Sequence, residues 1–201
     1  MKKFLSVCLL AASFLTAQAK GYGIGDMVHD FSLKNVDGRT VSLADYKDAK
    51  GYIVVFTCNT CPVALAYQDR IIELSRKYAA AGYPVLAINP NDPEAQPADA
   101  YEKMQERAQE KHFDFPYLYD PGQVVTSAFG ATNTPHVFLL QKTGKGNMVV
   151  YMGAIDNDPE DNNKASRKNF LEDAVAAVQK GQQPAVQQTK AIGCTVKWKK
   201  G

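Results

Sequence analysis

The chain has 201 residues, of which 45% are hydrophobic and 22% are charged. This composition is typical of one globular domain with a sizeable core, and it excludes a disordered chain or a coiled coil. The net charge is +2, and loss of Lys2 and Lys3 with a leader would leave equal numbers of basic and acidic residues. A neutral chain gives no electrostatic reason to expect nucleic acid as a partner.

The N-terminus has the three parts of a secretory signal peptide. Lys2 and Lys3 form a basic start, residues 4–16 are apolar, and Ala17-Gln18-Ala19 is an A-x-A cleavage pattern. The apolar stretch is too short to span a membrane. We therefore predict a signal peptide over residues 1–19 and a protein located in the periplasm or otherwise outside the cytoplasm.

The remainder predicts one domain over residues 20–180 and a C-terminal tail over residues 181–201. An Asp-Gly turn between alternating apolar segments predicts an N-terminal β-hairpin. A continuous apolar run, an amphipathic segment and a second apolar run predict a βαβ unit with parallel strands. The elements predicted in chain order are a loose lead-in 20–29, hairpin 30–43, strand 52–57, helix 63–81, strand 84–89, loop 89–97, exposed helix 98–111, extended piece 115–119, helix 123–129, hairpin 137–152 and helix 164–180.

The motif Cys58-Asn59-Thr60-Cys61 lies where the first buried strand meets the first long helix. A helix N-terminus presents unpaired N–H groups and a partial positive charge, which favour a thiolate. The placement therefore predicts a lowered pKa and a nucleophilic sulfur at Cys58. A structural disulfide or half of a zinc site is the alternative, but a second Cys-x-x-Cys, which a four-ligand zinc site would need, is absent from the sequence.

Several further segments accompany this motif. They are Asp30-Phe31-Ser32-Leu33, Asp37-Gly38-Arg39, Phe56-Thr57 before the first cysteine, Ala131-Thr132-Asn133-Thr134-Pro135, Gly153-Ala154-Ile155-Asp156 and Gly193-Cys194-Thr195-Val196-Lys197-Trp198. Together with the element order, they resemble the thioredoxin fold. More closely, the chain resembles the alkyl hydroperoxide reductase/redoxin group, in the peroxiredoxin-like branch that has a Cys-x-x-Cys motif.

The resemblance implies an α/β fold, with a mixed central sheet flanked by helices, an N-terminal β-hairpin and a helical insert. It implies that Cys58 is the attacking thiolate and Cys61 the resolving thiol. It further implies that Pro135 is cis and that the backbone of Thr134 pairs with a bound substrate chain. The expected activity is exchange with protein thiols and disulfides, with an unidentified electron donor or acceptor and no cofactor.

Two site residues have alternative interpretations. His136 is a candidate proton acceptor for Cys61, or a strand-end histidine without a role. Cys194 is a third exchange partner brought back by the tail, or a buried thiol packed near Trp198. The acid that thioredoxins bury in the preceding strand has no counterpart, because residues 51–57 contain no carboxylate.

Two other functions also fit parts of the pattern. Hydroperoxide reduction follows from the redoxin-type opening, although Val54 and Cys58 replace the proline and threonine that peroxiredoxins place before the reactive cysteine. Copper binding follows from two soft thiolates beside a histidine. Copper-delivery proteins of this fold use Cys-x-x-x-Cys, one residue longer than the spacing here.

Overall fold

A mixed sheet forms the centre of the fold in the computed structural model, which describes residues 21–200. The strands are β1 Met27–Val28, β2 Ser32–Asn35, β3 Thr40–Ser42, β4 Gly51–Phe56, β5 Val85–Asn89, β6 Tyr117–Tyr119, β7 Asn133–Thr134, β8 His136–Thr143, β9 Gly146–Gly153 and β10 Cys194–Thr195. The helices are α1 Pro62–Tyr78, α2 Tyr101–Glu110, α3 Val124–Phe129 and α4 Phe170–Gln179. The signal peptide predicted over residues 1–19 lies outside the described residues.

Eight strands form the main sheet in the order β1-β9-β8-β4-β5-β6-β2-β3. The strands β4, β5 and β6 are parallel, and every other neighbouring pair is antiparallel. The predicted βαβ unit, the opening hairpin β2–β3 and the later hairpin β8–β9 are thereby confirmed. The strands β7 and β10 form a separate antiparallel pair.

Both faces of β4 are covered, which explains why its sequence is apolar without alternation. Ile53 and Val55 face a cluster that includes side chains of α1 and α4. Phe56 faces the opposite cluster, where the ring of Phe129 from α3 lies 5.4 Å from its ring centre. The strand is therefore fixed on both sides, and its C-terminal end holds the cysteine motif in place.

A buried carboxylate fixes α1 to the chain that follows β9. Asp156 accepts hydrogen bonds from the hydroxyl of Tyr67 (2.7 Å), the guanidinium of Arg70 (2.5 Å) and the N–H of Asp158 (2.8 Å). The Arg70 guanidinium also lies 3.7 Å from the centre of the Tyr67 ring. Because the carboxylate is almost fully buried, these partners offset its desolvation.

The final helix and the lead-in differ from the prediction. The sequence predicts that the final helix begins at residue 164, but Lys164–Ser166 is a separate 3₁₀ turn and α4 begins at Phe170. The backbone is extended at Arg167, whose guanidinium binds Asp158 instead of continuing a helix. The lead-in is also more ordered than predicted, because β1 pairs with β9.

The segment predicted as a tail returns to the domain. Gln188 forms a bridge with Met152 of β9, and β10 then pairs with β7. Among residues 21–200, no helix combines the length and the apolar character that a membrane crossing requires.

Candidate functional site

The cysteine pair lies in the short connection between β4 and α1. Cys61 is the residue that precedes the first turn of α1, and Pro62 occupies the first helical position, where a missing N–H costs no hydrogen bond. Both cysteines are reduced and buried, with 5% of Cys58 and 2% of Cys61 exposed. Both cysteines are therefore almost fully covered in the reduced protein.

Thr134 contacts both sulfurs from the neighbouring loop. Its hydroxyl lies 3.2 Å from Cys58 Sγ, and its carbonyl oxygen lies 3.2 Å from Cys61 Sγ. The peptide bond from Thr134 to Pro135 is cis, as predicted. Thr134 is thus placed to hold a proton or a partner atom beside either sulfur.

The two cysteines have opposite pKa shifts. The pKa of Cys58 is raised, because its thiol hydrogen-bonds to Cys61, because it is buried and because it lies near the Asp99 carboxylate. The pKa of Cys61 is lowered to about 4, chiefly because its sulfur accepts the hydrogen bond from Cys58, with further support from the N–H groups of Ala64 and Cys194. The directions are opposite to the sequence expectation: the lowered pKa belongs to Cys61, at the N-terminus of α1, and the raised pKa to Cys58.

Asp99, which the sequence does not predict as a site residue, is a buried acid beside the cysteine loop. Its side chain has no exposed surface, and its carboxylate accepts the N–H of Asn59 at 2.6 Å and the hydroxyl of Thr60 at 2.9 Å. The side-chain amide of Asn91 also donates a hydrogen bond to this carboxylate, at 2.6 Å. The carboxylate therefore fixes the backbone between the two cysteines and places a negative charge near Cys58.

Asn59 is held on its other sides as well. Its side-chain amide donates to the carbonyl oxygen of Ala98 at 3.1 Å, and its side-chain oxygen accepts the hydroxyl of Tyr117 at 3.0 Å. Burial raises the pKa of Tyr117 well above its usual value, so the hydroxyl stays protonated and donates. The centre of the motif is consequently rigid.

His136 lies apart from the cysteines. It is at the start of β8, where its ring packs 4.6 Å from that of Phe138. Residues two apart on a strand share a face, and Phe138 belongs to the cluster opposite the face that α1 covers. Burial lowers the pKa of His136 to about 4, and within residues 21–200 no hydrogen bond joins it to Cys58 or Cys61. This geometry gives no support to His136 as the proton acceptor.

Cys194 lies against the cysteine pair. It is half-buried in a cluster with Cys58, Cys61 and Ala64, and its backbone N–H donates to Cys61 Sγ at 3.3 Å. Trp198 is 44% exposed. The described contacts of Cys194 therefore favour the exchange site over packing near the tryptophan.

The geometry of the described residues does not support copper binding. In the part of the chain that the structure describes, no three histidine, cysteine, aspartate or glutamate side chains are arranged to hold a metal ion. The histidine on which the hypothesis depended lies on the other face of the sheet.

Comparisons with known proteins agree with this geometry. The model of the AhpC/TSA family matches residues 24–150. The solved structure of a hypothetical protein from Sinorhizobium meliloti 1021 is 33% identical, with a TM-score of 0.82, and covers 92% of this chain and 99% of that chain. The curated thiol-disulfide oxidoreductase ResA of Geobacillus thermodenitrificans is 28% identical over 159 residues, which cover 75% of this chain and 85% of that protein.

A more distant structure shows the fold alone. The exposed lipoprotein thioredoxin of Streptococcus pneumoniae strain TIGR4 is 22% identical, with a TM-score of 0.52, and covers 62% of this chain and 87% of that chain. The thioredoxin-like α/β fold expected from the sequence is therefore confirmed.

Proposed function

This thioredoxin-fold redox enzyme belongs to the AhpC/TSA family, and we propose that it is an exported thiol–disulfide oxidoreductase that exchanges a dithiol formed by Cys58 and Cys61 with thiols of partner proteins. The observation on which the proposal chiefly depends is the geometry of the pair. Two reduced cysteines lie in one packed cluster at the start of α1, and Thr134 contacts both sulfurs. Export is proposed from the leader predicted over residues 1–19.

The pair can begin exchange without a separate base. The pKa of Cys58 is raised and that of Cys61 is lowered, so the reduced pair shares one proton, which can pass between the two sulfurs. The carbonyl oxygen of Thr134, 3.2 Å away, then accepts a hydrogen bond from the new Cys61 thiol. Cys58 is left as the thiolate, which is the nucleophilic form of cysteine.

Reduction of a partner disulfide then follows in two steps. The Cys58 thiolate attacks one sulfur of the partner, a mixed disulfide forms, and the other partner sulfur leaves and takes the proton held on Cys61. The Cys61 thiolate attacks Cys58 Sγ, the mixed disulfide breaks, and the second partner thiolate is released. The enzyme ends with one disulfide and the partner with two reduced sulfurs. The reverse sequence oxidises a dithiol partner.

Thr134 and Pro135 are proposed to bind the partner chain. The hydroxyl of Thr134 lies beside Cys58 Sγ and its carbonyl oxygen beside Cys61 Sγ, and an extended peptide can pair with this backbone by main-chain hydrogen bonds when β10 leaves the edge. A partner residue paired with Thr134 would lie against the cysteine pair, as Cys194 does in this structure.

Turnover of insulin disulfides or of a scrambled disulfide substrate tests this function. We expect Cys58→Ser and Cys61→Ser each to lose at least about a hundredfold in rate, because each removes one of the two sulfurs that the exchange requires. Lys111→Ala, at the end of α2, serves as a folded control and should retain the rate. Full activity in Cys58→Ser would refute the assignment.

Hydroperoxide reduction is the second candidate. The lowered pKa of Cys61 at the start of a helix is the property that a peroxide-reactive sulfur needs. If this activity is present, it should depend on Cys61. Peroxide consumption no faster than that of free cysteine would remove the candidate.

A further inference from the structure

The edge of β7 beside the cysteines is already paired with a strand of the chain itself. β10 runs antiparallel to β7, with Cys194 opposite Thr134 and Thr195 opposite Asn133. This is the edge to which the proposed function assigns a partner chain. The C-terminal segment therefore lies where a partner would lie, and it places a cysteine there.

A buried side chain and several hydrogen bonds hold β10 in this position. The buried side chain of Val196 anchors the segment below the surface. The fixing hydrogen bonds are Val196 N–H to Thr132 O (3.0 Å), Asn133 Nδ2 to Gly193 O (2.9 Å), Lys197 N–H to Asn91 Oδ1 (2.9 Å), Asp92 N–H to Lys197 O (2.8 Å), Gln123 Nε2 to Lys197 O (2.9 Å) and Lys199 N–H to Gln123 Oε1 (2.8 Å). Because these hydrogen bonds act together, the strand is fixed in register.

Gly193 is the residue that permits the close approach. A Cβ atom at this position would lie 2.0 Å from the carbonyl oxygen of Thr134, far inside van der Waals contact. The clash is with backbone of the cis-proline loop, so neither side can relax without moving β10. Glycine at position 193 is thus required for Cys194 to reach the cysteine pair.

The contact with the pair is made at Cys61. The N–H of Cys194 donates to Cys61 Sγ at 3.3 Å, and the two sulfurs belong to one packed cluster. The neighbouring Cys61 sulfur raises the pKa of Cys194 in the reduced protein. When Cys61 enters a disulfide its negative charge disappears, so deprotonation of Cys194 becomes easier at the stage when a nucleophile is needed.

We propose that Cys194 is a third exchange cysteine, and that β10 acts as an internal partner strand which delivers it to Cys61. The inference rests on the proposed function. In the oxidised enzyme the Cys194 thiolate attacks Cys61 Sγ, the bond between Cys58 and Cys61 breaks, a bond between Cys61 and Cys194 forms, and Cys58 is released as a thiolate. One disulfide is exchanged for another, so no external oxidant or reductant is consumed.

The test uses the full chain with Cys58→Ser and oxidised glutathione. Glutathione first forms a mixed disulfide with Cys61, and Cys194 should then displace it, as it would displace Cys58. After alkylation and proteolysis without reductant, mass spectrometry should find a peptide that links Cys61 to Cys194 as the main product. Persistent glutathione on Cys61 with Cys194 fully alkylated, in a chain folded by circular dichroism, would overturn the proposal.

A matched variant separates delivery by β10 from a chance encounter. In the Cys58→Ser background, Gly193→Ala should slow formation of the linked peptide at least about tenfold and leave glutathione on Cys61, because the added Cβ displaces β10. An unchanged rate would show that β10 does not deliver Cys194, and the proposal would fail. Gly144→Ala, in an open turn where no atom lies within 4 Å of the added Cβ, is the control and should not alter the rate.

The wild-type chain distinguishes failure of the proposed function from failure of the role of Cys194. Turnover of thiol substrates without a linked Cys61 and Cys194 peptide in Cys58→Ser would leave the proposed function standing and refute only the role of Cys194. A linked peptide in a wild-type chain without turnover would make the bond structural, which would also overturn exchange through Cys194.

Discussion

Replacement of Asp99 by asparagine should lower the pKa of Cys58. Thr60 Oγ1 lies 2.9 Å from Asp99 Oδ2 and 3.9 Å from Cys58 Sγ, so the carboxylate oxygen is within about 7 Å of the sulfur. At an effective dielectric constant of about 20, a unit charge at that distance contributes about 2 kcal/mol, which corresponds to between about one and two pKa units. Removing the charge should lower the pKa of Cys58 by this amount.

The measurement needs Cys58 to titrate without its coupled neighbour. In a Cys61→Ser background, the rate of iodoacetamide alkylation at Cys58 is followed against pH by peptide mass spectrometry, both with Asp99 intact and with the Asp99→Asn substitution added. The substitution also weakens three hydrogen bonds to a charged acceptor, so we expect about 2–3 kcal/mol of lost stability in urea. Alkylation is therefore measured where both variants are folded.

The control is Asp173→Asn, which makes the same change in net charge on the exposed side of α4. The neighbouring Glu172 pairs with Lys77 in the last turn of α1, at the opposite end of that helix from Cys61. Asp173→Asn should therefore leave the pKa of Cys58 unchanged, because distant exposed charges are screened. If Asp99→Asn also leaves that pKa unchanged to within about 0.3 units in a folded chain, the assignment of Asp99 as the charge that acts on Cys58 is wrong.

Three further sets of contacts give predictions of their own. Between about pH 5 and pH 8 the reduced pair should hold one proton, because the pKa of Cys61 is lowered and that of Cys58 is raised. The midpoint potential should therefore fall by about 30 mV per pH unit, and a slope near about 60 mV per pH unit would contradict the shared proton. The lowered pKa of Cys61 stabilises the folded, reduced protein at neutral pH, and this stabilisation should be lost as the pH falls towards about 4. Urea unfolding of the reduced chain at a series of pH values measures the loss. Phe129→Ala should cost about 3–5 kcal/mol in urea unfolding, whereas Val124→Ala on the exposed side of the same helix should stay within about 0.5 kcal/mol; equal effects would contradict the aromatic core. Asp156→Ala should cost about 3–5 kcal/mol because its buried arginine partner loses its counter-charge, and a loss below about 1 kcal/mol would refute that assignment.

The central fold could be predicted because its signals are local. The run before Cys58 is apolar on every residue from Tyr52 to Phe56, which is typical of a strand covered on both faces, and the following segment has helical periodicity. The Asp-Gly turn at Gly38 predicts the opening hairpin for a conformational reason, since its φ is +87°. These elements depend on neighbours in sequence, so they can be predicted without distant contacts.

The site was only partly predictable, because its electrostatics depend on distant segments. Asp99 is 38 residues beyond Cys61, in a stretch whose charges suggest an exposed helix, yet a 3₁₀ turn after the proline-rich loop buries it. A buried position for an acid leaves no periodic signal when the surrounding backbone is irregular. The helix dipole alone predicts a lowered pKa at Cys58, whereas the Cys61 sulfur, burial and the Asp99 carboxylate raise that pKa.

The C-terminal segment illustrates the same limit. Residues 181–200 have no sustained apolar periodicity, so the sequence predicts a tail. The structure shows β10 held by main-chain hydrogen bonds and by polar side chains such as Asn91 and Gln123. Such contacts depend on positions far apart in sequence, and only a glycine before the cysteine indicates the close approach.

Disulfide mapping of the wild-type chain across a series of glutathione buffers tests the central claim most directly. The chain is equilibrated at potentials from about −300 mV to about −100 mV, alkylated, digested without reductant and analysed by mass spectrometry. We expect a peptide linking Cys58 to Cys61 to form and disappear reversibly in one two-electron step. Complete alkylation of both cysteines at every potential, or glutathione adducts without a linked peptide, would contradict dithiol exchange through this pair.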